Sequence, residues 1–269
     1  PVFKSHQRNA GGNERIAATM FRYFRWPERF DDFVWLSQVQ QAEAIKTAVT
    51  HWRGLKPHCM GTLYWQLNDT WPVCSWSSLD YGGGWKLLHH AAKRFFAPVT
   101  VVAVPEPGGV TLKAVNDGPE PVQLAVAAEA VNMAGETRPL AEVSLSVADT
   151  ATQALTIEER AMGADEMLSF QWTGPDGFTG SDLFAPHPWK SYDLRAPEID
   201  LQQDGNRVTV SAQTLALFVT IEADQPGRFD DNAFALFPGR PVTLTFAPDT
   251  PGVDARFTIR DLYTATIAR

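Results

Sequence analysis

Apolar residues recur at helical spacing through the first hundred residues and alternate with polar residues through much of the remainder. The first pattern predicts helices over 13–24 and 85–96, and a longer helix that starts at Asp31 or Asp32 and stops at Gly54. One face of the longer helix carries an apolar stripe, which we expect to be buried, made of Trp35, Val39, Ala42, Ile45, Val49 and Trp52.

Residues 59–67 form an almost continuous apolar and aromatic run between Pro57 and Asn68. A short run of this kind predicts a parallel strand that is covered on both faces. A long loop rich in Trp, Ser, Asp and Gly follows as far as Gly84. The order helix, buried strand, long loop and helix indicates an α/β barrel or an open α/β sheet for residues 1–98.

After Pro98 the apolar period changes to two, which is typical of short antiparallel strands. The first set of predicted strands covers 100–104, 110–115, 122–131, 143–147 and 167–172. It predicts an immunoglobulin-like β-sandwich over 99–194. A proline-rich passage then precedes a second set, over 207–212, 216–222, 242–246 and 256–264. This set predicts a smaller sandwich over 195–269, so the expected fold class is multidomain, α/β followed by all-β.

The two patterns also differ in charge and in tryptophan content. Residues 1–98 hold 12 Lys+Arg and 7 Asp+Glu, whereas residues 99–269 have a net charge of −13, and seven of the nine tryptophans precede Pro98. The overall net charge of −8 argues against a nucleic-acid partner. No apolar stretch approaches the roughly 20 residues of a membrane-spanning helix, so no membrane is expected. Residues 1–20 lack the apolar region of a signal peptide, and the compartment stays open.

Candidate chemistry lies where the predicted strand ends, because reacting groups of α/β barrels lie at the C-terminal ends of the strands. The strand would place Trp65, Asn68 and Asp69 there, with Trp71 on the following loop. Indole faces stack on sugar rings, and amide and carboxylate groups pair with hydroxyls, so these four are candidate carbohydrate-binding residues. A core role is the competing interpretation, and for Trp65 and Trp71 the choice stays open. For the tryptophans on helical faces, Trp35, Trp52 and Trp85, the core role is favoured.

Other patterns predict neither a metal nor a cofactor. His89 and His90 are adjacent on a predicted helix and point in different directions, so they cannot chelate one ion. Cys59 and Cys74 lack a zinc-ligand spacing and could be bridged or free. The glycines at 82–84 lack the Lys-Ser/Thr that completes a phosphate loop.

Glycoside hydrolysis requires two carboxylates that flank one bond, and residues 1–98 offer no convincing pair. We therefore assign no catalytic residue.

A family resemblance is carried by residues 6–14, 36–42 and 60–72, which read HQRNAGGNE, LSQVQQA and MGTLYWQLNDTWP. These stretches resemble the β-mannosidases of glycoside hydrolase family 2, with sparser matches after Pro98.

The resemblance implies a retaining exo-enzyme that removes terminal non-reducing β-D-mannose through a covalent glycosyl intermediate. It implies that residues 1–98 are the C-terminal part of a (β/α)8 TIM barrel, followed by two immunoglobulin-like β-sandwich domains. Both catalytic glutamates of the family would lie before Pro1, so this chain alone is expected to be inactive. Trp65 matches the family's tryptophan at the end of barrel strand eight, which implies that it floors the mannose subsite.

The expected partners are a β-mannoside and either the upstream part of the same enzyme or a complementing chain. A barrel strand pairs on both sides, so we expect an upstream polypeptide to complete the barrel, or residues 1–98 to be distorted or associated with another copy. Two alternatives stay open. One is a non-enzymatic carbohydrate-binding or adhesive β-sandwich protein, and the other is a structural chain that complements a separately encoded barrel.

Overall fold

The computed structural model describes residues 2–267, without the side chain of Asp176. The ends of the predicted domains at Pro1 and at 268–269 lie outside the described residues. The helices are α1 (Val2–Ser5), α2 (Gly12–Tyr23), α3 (Phe30–Arg53), α4 (Leu87–Phe95) and α5 (Leu262–Thr266). The strands are β1 (Val99–Glu106), β2 (Gly109–Asn116), β3 (Val122–Val131), β4 (Thr137–Val147), β5 (Ala151–Glu158), β6 (Met167–Thr173), β7 (Thr179–Phe184), β8 (Asp200–Asp204), β9 (Arg207–Ser211), β10 (Ala216–Ala223), β11 (Gly227–Phe229), β12 (Phe234–Leu236), β13 (Val242–Pro248) and β14 (Phe257–Arg260). Short 3-10 helices cover Glu159–Ala161, Pro175–Gly177 and Trp189–Ser191.

The long helix α3 lies close to its predicted bounds, from Phe30 to Arg53. Most of its apolar stripe is buried, but the prediction for Trp52 is wrong, because this side chain is 42% exposed. Arg53 takes the buried position in the last turn instead. Its guanidinium donates to the Phe95 carbonyl and to the Asp117 carboxylate, both at 2.6 Å, and these partners satisfy the buried charge.

Residues 59–67 form no strand, contrary to the prediction. Its backbone hydrogen bonds lie at its end, where the Ser78 amide donates to the Gln66 carbonyl and the Leu79 amide to the Leu67 carbonyl. Among residues 2–267 no backbone segment pairs with residues 60–65 on either side. A parallel strand requires a neighbour on each side, so the ladder is incomplete and no barrel is visible in the described part of the chain.

The first sandwich consists of two antiparallel sheets, with strand orders β1-β2-β5 and β4-β3-β6-β7. The predicted strand over 122–131 coincides with β3, whereas β5 and β7 were not predicted. Side chains from both sheets meet in one core, which includes Leu112, Leu124, Val126, Phe170 and Trp172.

The second sandwich has sheets β12-β10-β14 and β11-β13-β9-β8 around a core that includes Val208, Val219, Ile221 and Phe246. The predicted strand over 256–264 is wrong in its second half, where the chain turns into α5. Asp261 causes the change, because its carboxylate accepts hydrogen bonds from the amides of Tyr263 and Thr264 and caps the helix.

A third core joins the helices to both sandwiches. It combines helical residues such as Leu36 and Leu88 with Met167 of β6 and Leu217 of β10. Ion pairs follow the same interface, and most of them join a cation before Pro98 to a carboxylate after it. These pairs are Lys46–Asp182, Arg53–Asp117, Lys56–Asp117, Lys56–Asp149 and Arg94–Asp231. The basic helical part thus packs against the acidic sandwiches.

Candidate functional site

The segment that carries Trp65 exposes one apolar face. Its side chains alternate in exposure, and the outward set consists of Leu63 (99% exposed), Trp65 (74%) and Leu67 (57%). The inward set, Tyr64 and Gln66, is partly buried. The peptide bond between Trp65 and Gln66 is cis. The sequence correctly identified an apolar run, but half of that run faces away from the described protein.

Inward contacts hold this segment in place. The Tyr64 hydroxyl donates to Ser78 Oγ at 2.9 Å, and that hydroxyl donates to the Leu67 carbonyl at 3.1 Å. The Tyr64 ring also stacks on Phe96, beyond the end of α4, with centroids 6.3 Å apart. The direction of Trp65 is therefore fixed through its neighbours, because Trp65 itself is mostly surrounded by solvent.

Asp69 is buried, and its carboxylate oxygens accept hydrogen bonds from protein donors. Ser75 donates to both oxygens at 2.7 and 2.8 Å, Ser77 donates at 2.5 Å, and the Gln66 side chain donates at 3.2 Å. Burial alone would raise the pKa of Asp69, but the hydrogen bonds from Ser77 and Ser75 and the charge of Lys86 outweigh it and lower the pKa. The Asp69 carboxylate thus organises the loop from within.

Lys86 completes this buried cluster and was not identified from the sequence. Its ammonium group donates to Ser77 Oγ at 2.7 Å and lies 3.5 Å from Asp69 Oδ2. Lys86 directly precedes α4, so the start of that helix is tied to the loop that carries the candidate residues. No spacing rule pairs a carboxylate with a cation 17 positions later, and only the folded loop brings them together.

Asn68 and Trp71 have different surroundings. Asn68 is exposed, and its side chain makes no hydrogen bond to any described residue, so it is accessible to a ligand. Trp71 is partly covered by the N-terminal segment, since the His6 ring stacks on it at 5.7 Å and the Arg8 guanidinium lies 4.7 Å from its centroid. The His6 ring also donates to the Pro72 carbonyl, which fixes residues 6–8 against the loop.

Two glutamines within the sequence stretch 36–42 connect α3 to the loop that carries the candidate residues. The Gln41 side chain donates to the Trp76 carbonyl at 2.8 Å, and the Gln38 side chain accepts the Leu87 amide at 3.2 Å. These polar residues occupy a helix face that would otherwise be solvated, and they bind the loop and the start of α4. The motif is thus part of the support for the site.

The four candidate residues therefore divide into two pairs. Trp65 and Asn68 present an exposed ring and a free amide, which suit stacking on a sugar face and hydrogen bonding to a hydroxyl. Asp69 and Trp71 are engaged by protein groups. Within residues 2–267 no group of His, Cys, Asp and Glu is arranged to hold a metal ion. None of the described helices combines the length and apolarity needed to cross a membrane.

Comparison with known proteins agrees with this architecture. An immunoglobulin-fold domain family named for mannosidases matches residues 194–265. A β-mannosidase of Mus musculus is 29% identical over 91% of this chain and 31% of its own length. A β-mannosidase of Capra hircus is 38% identical over 45% of this chain and 16% of its own length.

Solved structures show the same fold. The β-D-mannosidase of Dictyoglomus thermophilum superposes with a TM-score of 0.84 and 23% identity, over 96% of this chain and 33% of that one. An exo-chitosanase of Amycolatopsis orientalis has a TM-score of 0.74 and 16% identity, over 93% of this chain and 36% of that one. The present chain spans about a third of the length of the mouse relative. In sequence and in fold, the chain resembles the C-terminal part of the β-mannosidases of glycoside hydrolase family 2.

Proposed function

We propose that this chain is the C-terminal portion of a retaining exo-β-mannosidase that hydrolyses terminal non-reducing β-D-mannose from β-mannosides. Residues 1–98 then form the last part of a (β/α)8 barrel, and residues 99–194 and 195–269 form two immunoglobulin-like sandwiches that support it. The observation that carries the proposal is the segment at 60–67, which has no strand neighbour along residues 60–65 and exposes Trp65.

In the proposed enzyme, an upstream polypeptide or a complementing chain pairs with this segment and covers Leu63 and Leu67, while Trp65 faces the sugar. Leu63 and Leu67 flank Trp65 on the exposed face, and burial of each would contribute about 1.5–3 kcal/mol to the association. An exposed, unpaired apolar segment is otherwise an aggregation hazard. If this polypeptide supplies the strand neighbours, residues 59–67 are apolar because they become covered, and they form no strand in this chain because those neighbours are not part of it.

In the proposed reaction, two carboxylates of the upstream part carry the chemistry. One protonates the departing glycosidic oxygen, and the other attacks the anomeric carbon to give a glycosyl ester that water then cleaves. Trp65 stacks on the terminal mannose and fixes its orientation, and Asn68 donates to a hydroxyl. Asp69 and Trp71 are proposed to contribute by holding this edge of the sugar site, and a direct contact with sugar stays a prediction for both.

The alternative of a carbohydrate-binding β-sandwich is less well supported. Among the described residues after Pro98, Phe178 is the one large apolar side chain that is strongly exposed, at 38%. The exposed indoles lie in the helical part instead, at Trp26, Trp52, Trp65 and Trp76. Aromatic platforms for sugar are therefore found beside the proposed barrel segment.

The test is hydrolysis of an aryl β-mannoside by the purified chain, alone and joined to its upstream part. We expect no turnover by the chain alone and release of β-mannose, with retained configuration, by the joined protein. Trp65→Ala should lower kcat/KM of the joined protein about tenfold, through the lost stacking. Trp52→Ala removes another exposed indole and should leave kcat/KM unchanged. Turnover by the isolated chain, or equal activity of the two variants, would contradict the proposal.

A further inference from the structure

A polar groove of about 680 Å³ lies between the helical part and the second sandwich. One wall is the start of α3, and the opposite wall comprises parts of β10, β11, β13 and β14. The third wall is a tight turn over residues 80–84, termed the glycine turn. The volume falls in the range of pockets that bind small molecules, which is about 300–1,000 Å³.

The glycine turn presents its backbone to this groove. The Asp80 amide donates to the Gly84 carbonyl at 3.0 Å, and the Gly84 amide donates to Asp80 Oδ1 at 2.8 Å. Gly83 has a φ of +87°, a conformation that favours glycine. A Cβ atom at Gly84 would lie 2.6 Å from Asp80 Oδ2, so glycine is also required there by space. The space beside Gly84 is thus taken by the Asp80 carboxylate, whereas the space beside Gly83 is open.

Arg228 extends its guanidinium along the groove, over an indole and without a hydrogen-bond acceptor among the described residues. The group lies 5.7 Å from the centroid of the Trp85 ring and makes no hydrogen bond to any described side chain or carbonyl. The other arginine of the groove, Arg260, is occupied by Asp32 at 2.6 Å and Glu222 at 3.2 Å. Arg228 is thus the cation of this groove that remains open to a ligand oxygen.

His90 supplies an independent indication of a ligand. Its ring lines the groove and is 3% exposed, yet Nδ1 has no hydrogen-bond partner within residues 2–267. Nearly all buried polar atoms in folded proteins are paired, so an unpaired ring nitrogen at the wall of this groove points to a polar group of a ligand or to a bridging water. A hydroxyl group can pair with this nitrogen in either tautomer, because it both donates and accepts.

We propose that this groove binds an oligosaccharide chain and, resting on the proposed function, that it takes the sugar units next to the terminal mannose of a β-mannoside. The lining favours a neutral polyol over a polyanion, because four carboxylates, from Asp31, Asp80, Glu222 and Asp249, outnumber the two guanidinium groups. Carboxylates, amides and a guanidinium beside an indole are the groups that pair with sugar hydroxyls and pack on sugar rings.

The groove also adjoins the segment that carries Trp65. The Gln66 and Leu67 carbonyls accept the amides of Ser78 and Leu79, and Asp80 of the glycine turn is the next residue. The glycine turn therefore links the groove to the segment that carries Trp65, and the proposal places the saccharide along this link.

The test is calorimetric titration of the 269-residue chain with β-1,4-linked manno-oligosaccharides of two to six units. We expect saturable binding that tightens with length, and a shift of the His90 Nδ1 nitrogen resonance on addition of sugar. Arg228→Ala should weaken binding about fivefold, which is the value of one ordinary hydrogen bond. Arg228 is exposed on a short strand, so the variant should keep its circular dichroism spectrum. Arg240→Ala is the matched control, because its guanidinium lies over Phe237 at 5.3 Å, outside the groove.

Trp65→Ala separates this proposal from the proposed function. Weaker binding by Arg228→Ala but not by Trp65→Ala would support the groove and contradict the role of Trp65. Weaker binding by Trp65→Ala alone, or an unshifted His90 resonance, would overturn the groove and leave the proposed function intact. Absence of saturable binding up to about 10 mM sugar would overturn the groove as well, while hydrolysis by the joined protein would still decide the proposed function.

Discussion

Lowering the pH from neutral to 5 should destabilise this fold through His90, a buried histidine of α4. Burial lowers the pKa of His90 from 6.5 to about 3, and the charges of Arg94, His89 and Lys93 add to the effect. The folded state therefore holds the neutral imidazole, whereas the unfolded chain takes up a proton below pH 6.5. The contribution to stability is complete above 6.5 and is lost progressively as the pH falls towards 3.

The magnitude at pH 5 follows from the difference in proton uptake between the two states. The pKa of this histidine in the unfolded chain lies about 1.5 units above the solution pH, and each unit corresponds to about 1.4 kcal/mol of free energy. The folded-state pKa of about 3 is still lower than pH 5, so the folded protein takes up almost no proton. His90 should thus reduce the free energy of unfolding by about 2 kcal/mol between pH 7 and pH 5.

Urea denaturation at the two pH values measures this loss. His90→Gln cannot titrate, so its loss of stability between pH 7 and pH 5 should be about 2 kcal/mol smaller than that of the unaltered chain. The comparison across pH is independent of any packing defect in the variant, because that defect is present at both pH values. His51→Gln is the control, since His51 is an exposed residue on α3.

An equal loss of stability in the unaltered chain and in His90→Gln would refute the reasoning. A second measurement addresses the same group directly. The ring nitrogen resonances of His90 should remain those of neutral imidazole at pH 5, and a protonated ring in the folded protein at that pH would show that the site is open to water.

Two further predictions concern polar contacts of the helical part. Asp69→Asn should lower the free energy of unfolding by about 1–3 kcal/mol at pH 7 in urea denaturation, because the partly buried cation of Lys86 and two hydroxyls lose their carboxylate. Since the pKa of Asp69 is lowered, this difference should shrink as the pH falls below 3.8, and a constant difference would contradict the assignment. Trp35→Phe keeps an aromatic ring but removes the 2.9 Å hydrogen bond to Thr220, and it should cost about 1 kcal/mol, while Trp52→Phe on the same helix should cost nothing measurable. Equal costs for the two tryptophans would contradict this reasoning.

The sequence predicted elements well where one chain segment contains its own signal. The alternation over 122–131 matches β3, and the stripe on α3 predicts the burial of Trp35 and Val39. The exchange between Trp52 and Arg53 could not be predicted, because the arginine is buried only through an acceptor 64 residues away. Burial of a charge depends on its partner, and that partner is set by tertiary structure.

The candidate site shows the same division. Trp65 and Asn68 are exposed, and their sugar-binding roles stay predictions. The contacts of the Asp69 carboxylate with Ser75, Ser77 and Lys86 could not be predicted from the sequence, because these residues meet only after the loop has folded back. The strand over 59–67 failed for a different reason. An apolar pattern indicates that a segment can be buried, but a strand forms only where neighbouring segments supply its backbone hydrogen bonds.

The core shared by the helices and the two sandwiches limits how this architecture can be recombined. If the two sandwiches were transplanted without α3 and α4, the core that Val131, Met167 and Leu217 now share with the helices would be opened to solvent. Such a graft would need new polar residues at those positions to stay soluble. Pro98 divides two sequence patterns, yet the buried contacts across it mean that the segments on either side have to be inherited together.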